Sequence, residues 1–246
     1  MNVPNVHIVT ACYGPRFWLA VDEWTKHIRS YESWPIDIVS LDGQRYVDAN
    51  DTITTVNVNA PGVKLGWGNG DKYRTERVLA HLKGGVTCFQ IDLDVLLKRS
   101  ISILLDLPFD FLISRAFRCP PIAREKLGFV ACTGFYLAKP AAMGLCAAVL
   151  QHIASNTYGS FLDQVVLNNM LVEAAERGDW RQRSLISGGL GFDVDEFECC
   201  GCKIGVLAEA VILRSADREA ALFGNHDSSL LEHFFPKPIA LTDVVP

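Results

Sequence analysis

The chain lacks any long apolar run. Its richest stretch, residues 141–150, is ten residues long, whereas a membrane-crossing helix needs about 20. It also lacks an excess of basic charge. Lys and Arg number 23 against 28 Asp and Glu, a formal net charge of −5. That excludes a general binder of nucleic acid or anionic membrane, which needs a basic face. A phosphorylated ligand is compatible with this balance if a metal ion or a few well-placed cations meet it. Gly and Pro, at 19 and 11 residues, are too few for a collagen-like or low-complexity chain. The opening residues carry neither a basic segment nor a long apolar one. No signal peptide is expected, and the expected location is cytoplasmic. The crowded Cys199-Cys200-Gly-Cys202 has no second cysteine pair to complete a four-ligand zinc site, so free thiols are the preferred reading. Cys12, Cys88, Cys119, Cys132 and Cys146 sit singly inside apolar segments and read as buried free thiols.

What is present is a soluble-protein composition, 49% hydrophobic and 21% charged, arranged as alternating strand and helix patterns. Residues 6–10 read as a strand. A helix follows, with Phe17, Val21, Trp24 and Ile28 on one stripe. Residues 36–41 and 52–58 read as strands, 71–82 as a helix ended by Gly84-Gly85, and 86–91 as a fourth strand. Further strands are expected at 109–114 and 129–137. A helix is expected from Pro140 to about residue 155, and another after Ser160. Residues 204–212 lean towards strand, and the tail from Gly224 reads as irregular. This order predicts an α/β fold, a mixed but mainly parallel sheet flanked by helices, in a single domain over 1–246.

The sharpest chemical feature is Val86-Thr-Cys-Phe-Gln-Ile-Asp92-Leu-Asp94. An apolar strand runs directly into two carboxylates one residue apart. Strand periodicity places Asp92 and Asp94 on one side of the chain. Their mutual repulsion is relieved by a divalent cation with oxygen ligands. In open α/β sheets, ligands bind at the carboxyl ends of strands, where this pair falls. Lys72 and Arg74 open the preceding helix, where cations oppose the helix dipole. A ligand role for both is therefore expected. The preceding Gly66-Trp-Gly-Asn-Gly70 reads as a loop, and it matches neither a Walker loop nor a dinucleotide fingerprint. Ser160-Phe-Leu-Asp163 has the form of a capping box, so Asp163 and Gln164 are expected at a helix N-terminus. Asp193, Asp195 and Glu196 read as a solvated acidic loop.

With the Asp-x-Asp at a strand end, the sequence resembles the nucleotide-diphospho-sugar transferases of the GT-A fold. Three further segments match in order. Cys132-Thr133-Gly134-Phe135-Tyr136-Leu137 is similar to the family's Asn-Thr/Ala-Gly segment, with Cys132 in place of Asn. Phe161-Leu-Asp163-Gln164-Val-Val-Leu-Asn168 resembles the Asp-Gln-x-x-Leu-Asn segment of retaining members. Phe223-Gly-Asn-His226 resembles the late metal-site His, with His233 and Lys237 of His-Phe-Phe-Pro-Lys-Pro as the alternative. The resemblance implies transfer of a sugar from a nucleotide-diphosphate sugar, a UDP-sugar first, to a hydroxyl of a glycan or other acceptor, with retention. It implies Mn²⁺ or Mg²⁺ on Asp92, Asp94 and His226. It also implies that Asp163 and Gln164 act at the donor sugar and its anomeric carbon. Thr10, Ala11, Cys12 and Tyr13, just past the first strand, would seat the nucleotide, together with Lys72, Arg74, Asp92, Thr133 and Gly134. The alternatives are a sugar-phosphate nucleotidyltransferase and a non-catalytic nucleotide-sugar or glycan binder. The first expects a Gly-rich basic loop after the first strand, and Thr-Ala-Cys-Tyr-Gly-Pro-Arg offers little of that.

Overall fold

The computed structural model describes residues 5–12, 15–47, 52–58, 67–93, 95–97, 99–116, 120–155, 162–187, 190–207 and 212–213. The chain opens with β1 (Val6–Cys12), α1 (Pro15–Arg29), β2 (Ile36–Ser40), β3 (Ile53–Asn57), α2 (Trp67–Lys83), β4 (Thr87–Ile91) and β5 (Leu96–Leu97). It continues with β6 (Phe111–Ala116), α3 (Pro121–Leu127), β7 (Val130–Ala138), α4 (Met143–Ser155) and α5 (Leu162–Glu176). It ends with β8 (Trp180–Ser187), β9 (Leu190–Cys199), β10 (Cys202–Leu207) and β11 (Ile212–Leu213).

Nine strands form one sheet in the order β3-β2-β1-β4-β7-β6-β10-β9-β8, and β5 pairs with β11 apart from it. The fold is α/β, as the alternation predicts. The expectation of a mainly parallel sheet is corrected. Four neighbouring pairs are parallel and four antiparallel, and the antiparallel ladders join more residues. Three of the parallel pairs make up the β-α-β half, β3-β2-β1-β4, and the fourth joins β6 to β10. The antiparallel pairs come from β7 and from the β8-β9-β10 meander.

That meander was hidden in the sequence by its charge. Asp195 and Glu196 lie in β9, not in a solvated loop, and both are buried. The register sets Arg181 opposite Glu196 and Gln182 opposite Asp195. Asp195 is bonded by Arg115, by Trp180 Nε1 at 3.1 Å and by Gln182 Nε2 at 3.2 Å. Arg183 Nη1 reaches Glu196 at 2.9 Å. Cross-strand pairing of opposite charges makes a polar sequence fit for a strand. Asp193 alone of the three is exposed.

Two apolar clusters fill the two faces of the sheet. α1 covers one face with Val21, Trp24 and Ile28, all fully buried. α2, α3, α4 and α5 cover the other. α3, not foreseen, has Pro at its start and Gly128 in a left-handed cap at φ 78°. This is the usual asymmetry of helix ends. The chain steps outwards from β1 through β2 to β3, then returns to place β4 on the other side of β1. The carboxyl ends of β1 and β4 therefore flank a topological switch point, where such sheets bind ligands.

A carboxylate cluster around Arg74

Asp92 follows β4 directly at this switch point. Its backbone is pinned from both sides: its N–H donates to Gly134 O at 2.8 Å, and its carbonyl accepts from Trp24 Nε1 at 3.1 Å. Gly134 lies in an irregular part of β7. Between the pairs Ile113↔Tyr136 and Ser114↔Cys132, β6 advances one residue and β7 four. Thr133, Gly134 and Phe135 thus have no partner on β6, although Phe135 still pairs with Ile91 of β4. Such bulges re-aim side chains beside sites.

Arg74, on the same stripe of α2 as the buried Val78 and Leu82, projects into this region and is itself buried. Its Nη1 donates to Asp92 Oδ1. Its Nη2 donates to Asp163 Oδ2 at 2.6 Å and to Asp71 Oδ1 at 3.1 Å. One guanidinium therefore faces three carboxylates. Burial lowers its pKa, but the charges of Asp163, Asp92 and Asp71 outweigh this and raise it well above the ordinary value. Its buried Nε has no partner among the described residues.

α5 supplies the rest. Asp163 sits in its first turn, where the dipole favours a carboxylate. Asp163 Oδ1 accepts from the Gln164 N–H at 2.7 Å and from Thr133 Oγ1 at 3.0 Å. Gln164 Oε1 accepts from the Thr133 N–H at 3.3 Å. One turn on, Asn168 Oδ1 accepts from the Ala131 N–H and Asn168 Nδ2 donates to Ala131 O, both at 2.8 Å. Asn168 also donates to Gln164 O at 2.7 Å. The amide thus stands in for a strand neighbour of β7 and fixes α5 against the bulge. Gln90 Nε2 donates to Asp92 Oδ1 at 2.7 Å, while its own buried Oε1 has no partner among the described residues. A mostly apolar cavity of about 20 Å³ is lined by Phe111, Leu145, Val149 and Leu167, with Thr133 and Asp163 among its polar members. It has room for one water.

The structure therefore brings together Arg74, Asp92, Thr133, Gly134, Asp163 and Gln164. The sequence reading missed Asp71 and Gln90. Asp71 had a visible signal, since an acid three residues before a helical Arg is its neighbour. Other expectations are corrected. α2 begins at Trp67, so residues 67–70 are helix and not loop, and Lys72 and Arg74 do not open it. Packing against the sheet overrides the weak helix propensity of two glycines. Gly70 is close enough for a Cβ there to lie 3.4 Å from Leu41 Cδ1. Lys72 is half exposed, reaching Glu76 at 3.8 Å and lying over the Tyr73 ring. Helical positions two apart do not face each other, so it does not share Arg74's face.

β1 extends through Cys12, so Thr10, Ala11 and Cys12 lie within the strand and not past it. Its alternation divides them. Ala11 packs against the α2 side, while Cys12 lies in the core on the α1 side. Thr10 faces as Cys12 does, and its buried Oγ1 has no partner among the described residues. Burial raises the Cys12 thiol far above its ordinary pKa, as expected of an inert thiol. Tyr13, Asp94 and His226, with the alternatives His233 and Lys237, lie outside the described residues.

No helix among the described residues is long and apolar enough to cross a membrane. No protein-family model matches the chain, and no curated protein is similar to it at a significant level.

Proposed function

We propose that the chain is a metal-dependent glycosyltransferase of the GT-A type that moves a sugar, from a UDP-sugar first, to an acceptor hydroxyl with retention. One observation carries the reading. Asp92 and Asp163 are the residues to which the resemblance gives the cation and the donor sugar. They come from segments 71 positions apart, and a single buried guanidinium holds both.

The donor set suits a divalent cation. One positive charge faces three carboxylates, and the Asp92 side chain keeps 34% of its surface exposed. Oxygen-rich, net-negative sites select Mn²⁺ or Mg²⁺. Asp92, Asp94 and His226 would hold the ion. When bound, it neutralises charge on a departing diphosphate. Arg74 in this scheme is a clamp: its Nη atoms are already engaged by Asp71, Asp92 and Asp163, so it orients acids and leaves phosphate to the ion. Asp163, locked by Thr133 and the helix start, accepts from sugar hydroxyls. Gln164, held through Thr133, presents its amide beside them. Rigid polar groups of this kind stabilise charge in a transition state without reorganising.

The test is thermal shift against UDP, GDP, CMP and dTDP, with and without Mn²⁺. Ligand binding to the native state raises apparent stability by mass action. The expected outcome is a rise with one nucleotide that requires Mn²⁺ and disappears in Asp92→Asn. No rise with any nucleotide in a folded sample would overturn the reading.

A further inference from the structure

The opposite end of the sheet carries a second cluster. His7 is the second residue of β1 and Asp37 the second of β2, and these strands are parallel neighbours with Val9 opposite Asp37. His81 comes down onto them from the last turn of α2. One ligand atom from each of the three lies within 4.8 Å of the others. The two imidazole rings are 4.5 Å apart and tilted by 39°. His81 Nε2 meets Asp37 Oδ2 at 2.5 Å, and the Asp37 side chain is only 3% exposed. His7 Nδ1 is buried and has no partner among the described residues. Three strong donor groups thus converge, one of them with a lone pair or proton that nothing among the described residues satisfies.

We infer that His7, Asp37 and His81 form a binding site for Zn²⁺ or a similar first-row transition-metal ion. Two imidazoles and a carboxylate are a common zinc donor set, with water in the fourth position. Ligands on one such ion sit about 2.0–2.2 Å from it, so closing this cluster asks only for small side-chain shifts. The protonation states are the right ones. Burial, and then the neighbouring His81, lower the pKa of His7, which keeps it neutral. Asp37 is held ionised: burial opposes this, but its bonds to His81 and Arg77 prevail and lower its pKa. The ion takes the place of the hydrogen bond between His81 Nε2 and Asp37, and the ligating imidazole carries its one N–H hydrogen on Nδ1. Arg77 Nε also bonds Asp37 Oδ2, at 2.6 Å, and is the competing partner. Its side chain is 31% exposed and free to turn outwards as the ion enters. The imidazoles distinguish this site from the oxygen-rich cluster at the other end of the sheet, and its fate is independent of the proposed transferase activity.

The test is calorimetric titration of the tag-free full chain with Zn²⁺, supported by Co²⁺ absorption. One Zn²⁺ per chain is expected, with a rise in melting temperature. His7→Ala should weaken binding at least tenfold. His81→Gln should do the same while keeping a donor to Asp37, and its metal-free circular dichroism should match the wild type. Three results would overturn the site: no saturable binding, binding unchanged in both variants, or binding lost only in Cys200→Ser or only in Asp92→Asn.

Discussion

Gly134 and Asp92 approach so closely that a methyl group between them would crowd the carboxylate. A Cβ at position 134 would lie 3.0 Å from Asp92 Oδ2 and 3.4 Å from Cys132 Sγ. Close approach, and not backbone conformation, is what favours glycine here, since its φ is not among the positive ones. It lets the bulge of β7 pass directly under the carboxylate.

Gly134→Ala should displace the Asp92 carboxylate from Arg74 and Gln90. Overpacking of this kind costs about 1–3 kcal/mol. The expected outcome is a modest loss in melting temperature with a larger loss, tenfold or more, in Mn²⁺-dependent nucleotide affinity. Calorimetry on the folded variant measures both. An unchanged nucleotide affinity would separate Asp92 from the donor site.

Arg74→Met should be the most damaging substitution in the cluster. It leaves Asp71 and Asp163 buried without their cation. Breaking a buried ion pair on one side costs about 3–5 kcal/mol. Arg74→Lys should recover little, because an ammonium cannot span three carboxylates as a planar fork does. Urea unfolding of the two variants, compared at equal pH, checks this.

Asn168→Leu should separate α5 from β7. The Ala131 N–H and carbonyl would both lose their partner, at about 1–3 kcal/mol for each unsatisfied buried group. Hydrogen exchange at Ala131 should rise above that of the neighbouring strand β4. Asn168→Asp keeps the acceptor but loses the donor and should fall between the two.

Stability should decline on the acid side of neutrality. Burial lowers the pKa of His7 from 6.5, with a further contribution from His81. Burial also lowers that of His27, partly offset by the Leu97 carbonyl. With both depressed in the folded state, the unfolded chain binds protons first as the pH falls. The stability present above about pH 6.5 is then lost as pH falls towards the folded values. Melting temperatures should be level from about pH 8 to 7 and drop between about pH 6.5 and 5. His27→Gln should flatten the drop. A melting temperature that rose with acidity over this range would contradict the assignment.

Much of the β-α-β half was legible because its strands are apolar runs closed by Gly, Pro or Asp. β8 and β9 were not, because their charges are neutralised by neighbours that sequence order does not reveal. Arg115 and Asp195 are 80 positions apart, yet they meet. At the candidate site, residues in short motifs could be located, since Asp92, Thr133, Gly134, Asp163 and Gln164 each sit in a local pattern. Arg74 was legible as a site cation but not as the clamp between three acids. Thr10 and Cys12 were grouped with Ala11 by proximity in the chain, and the period of a strand separates what proximity groups. His7, Asp37 and His81 belong to three elements with no shared motif, so only the packing of α2 on β1 and β2 makes them neighbours.

The unequal count of residues in β6 and β7 has a geometric result. Between the same two rungs, β6 advances one residue and β7 four. At about 3.3 Å per residue the paths differ by about 10 Å, so β7 follows an arc where β6 follows its chord. The arc holds Thr133 and Gly134, and its height is set by how many residues it contains more than by which they are. Deleting one residue from it would shorten the arc and draw Thr133 away from Asp163, a greater disturbance than most exchanges of side chain at the same positions.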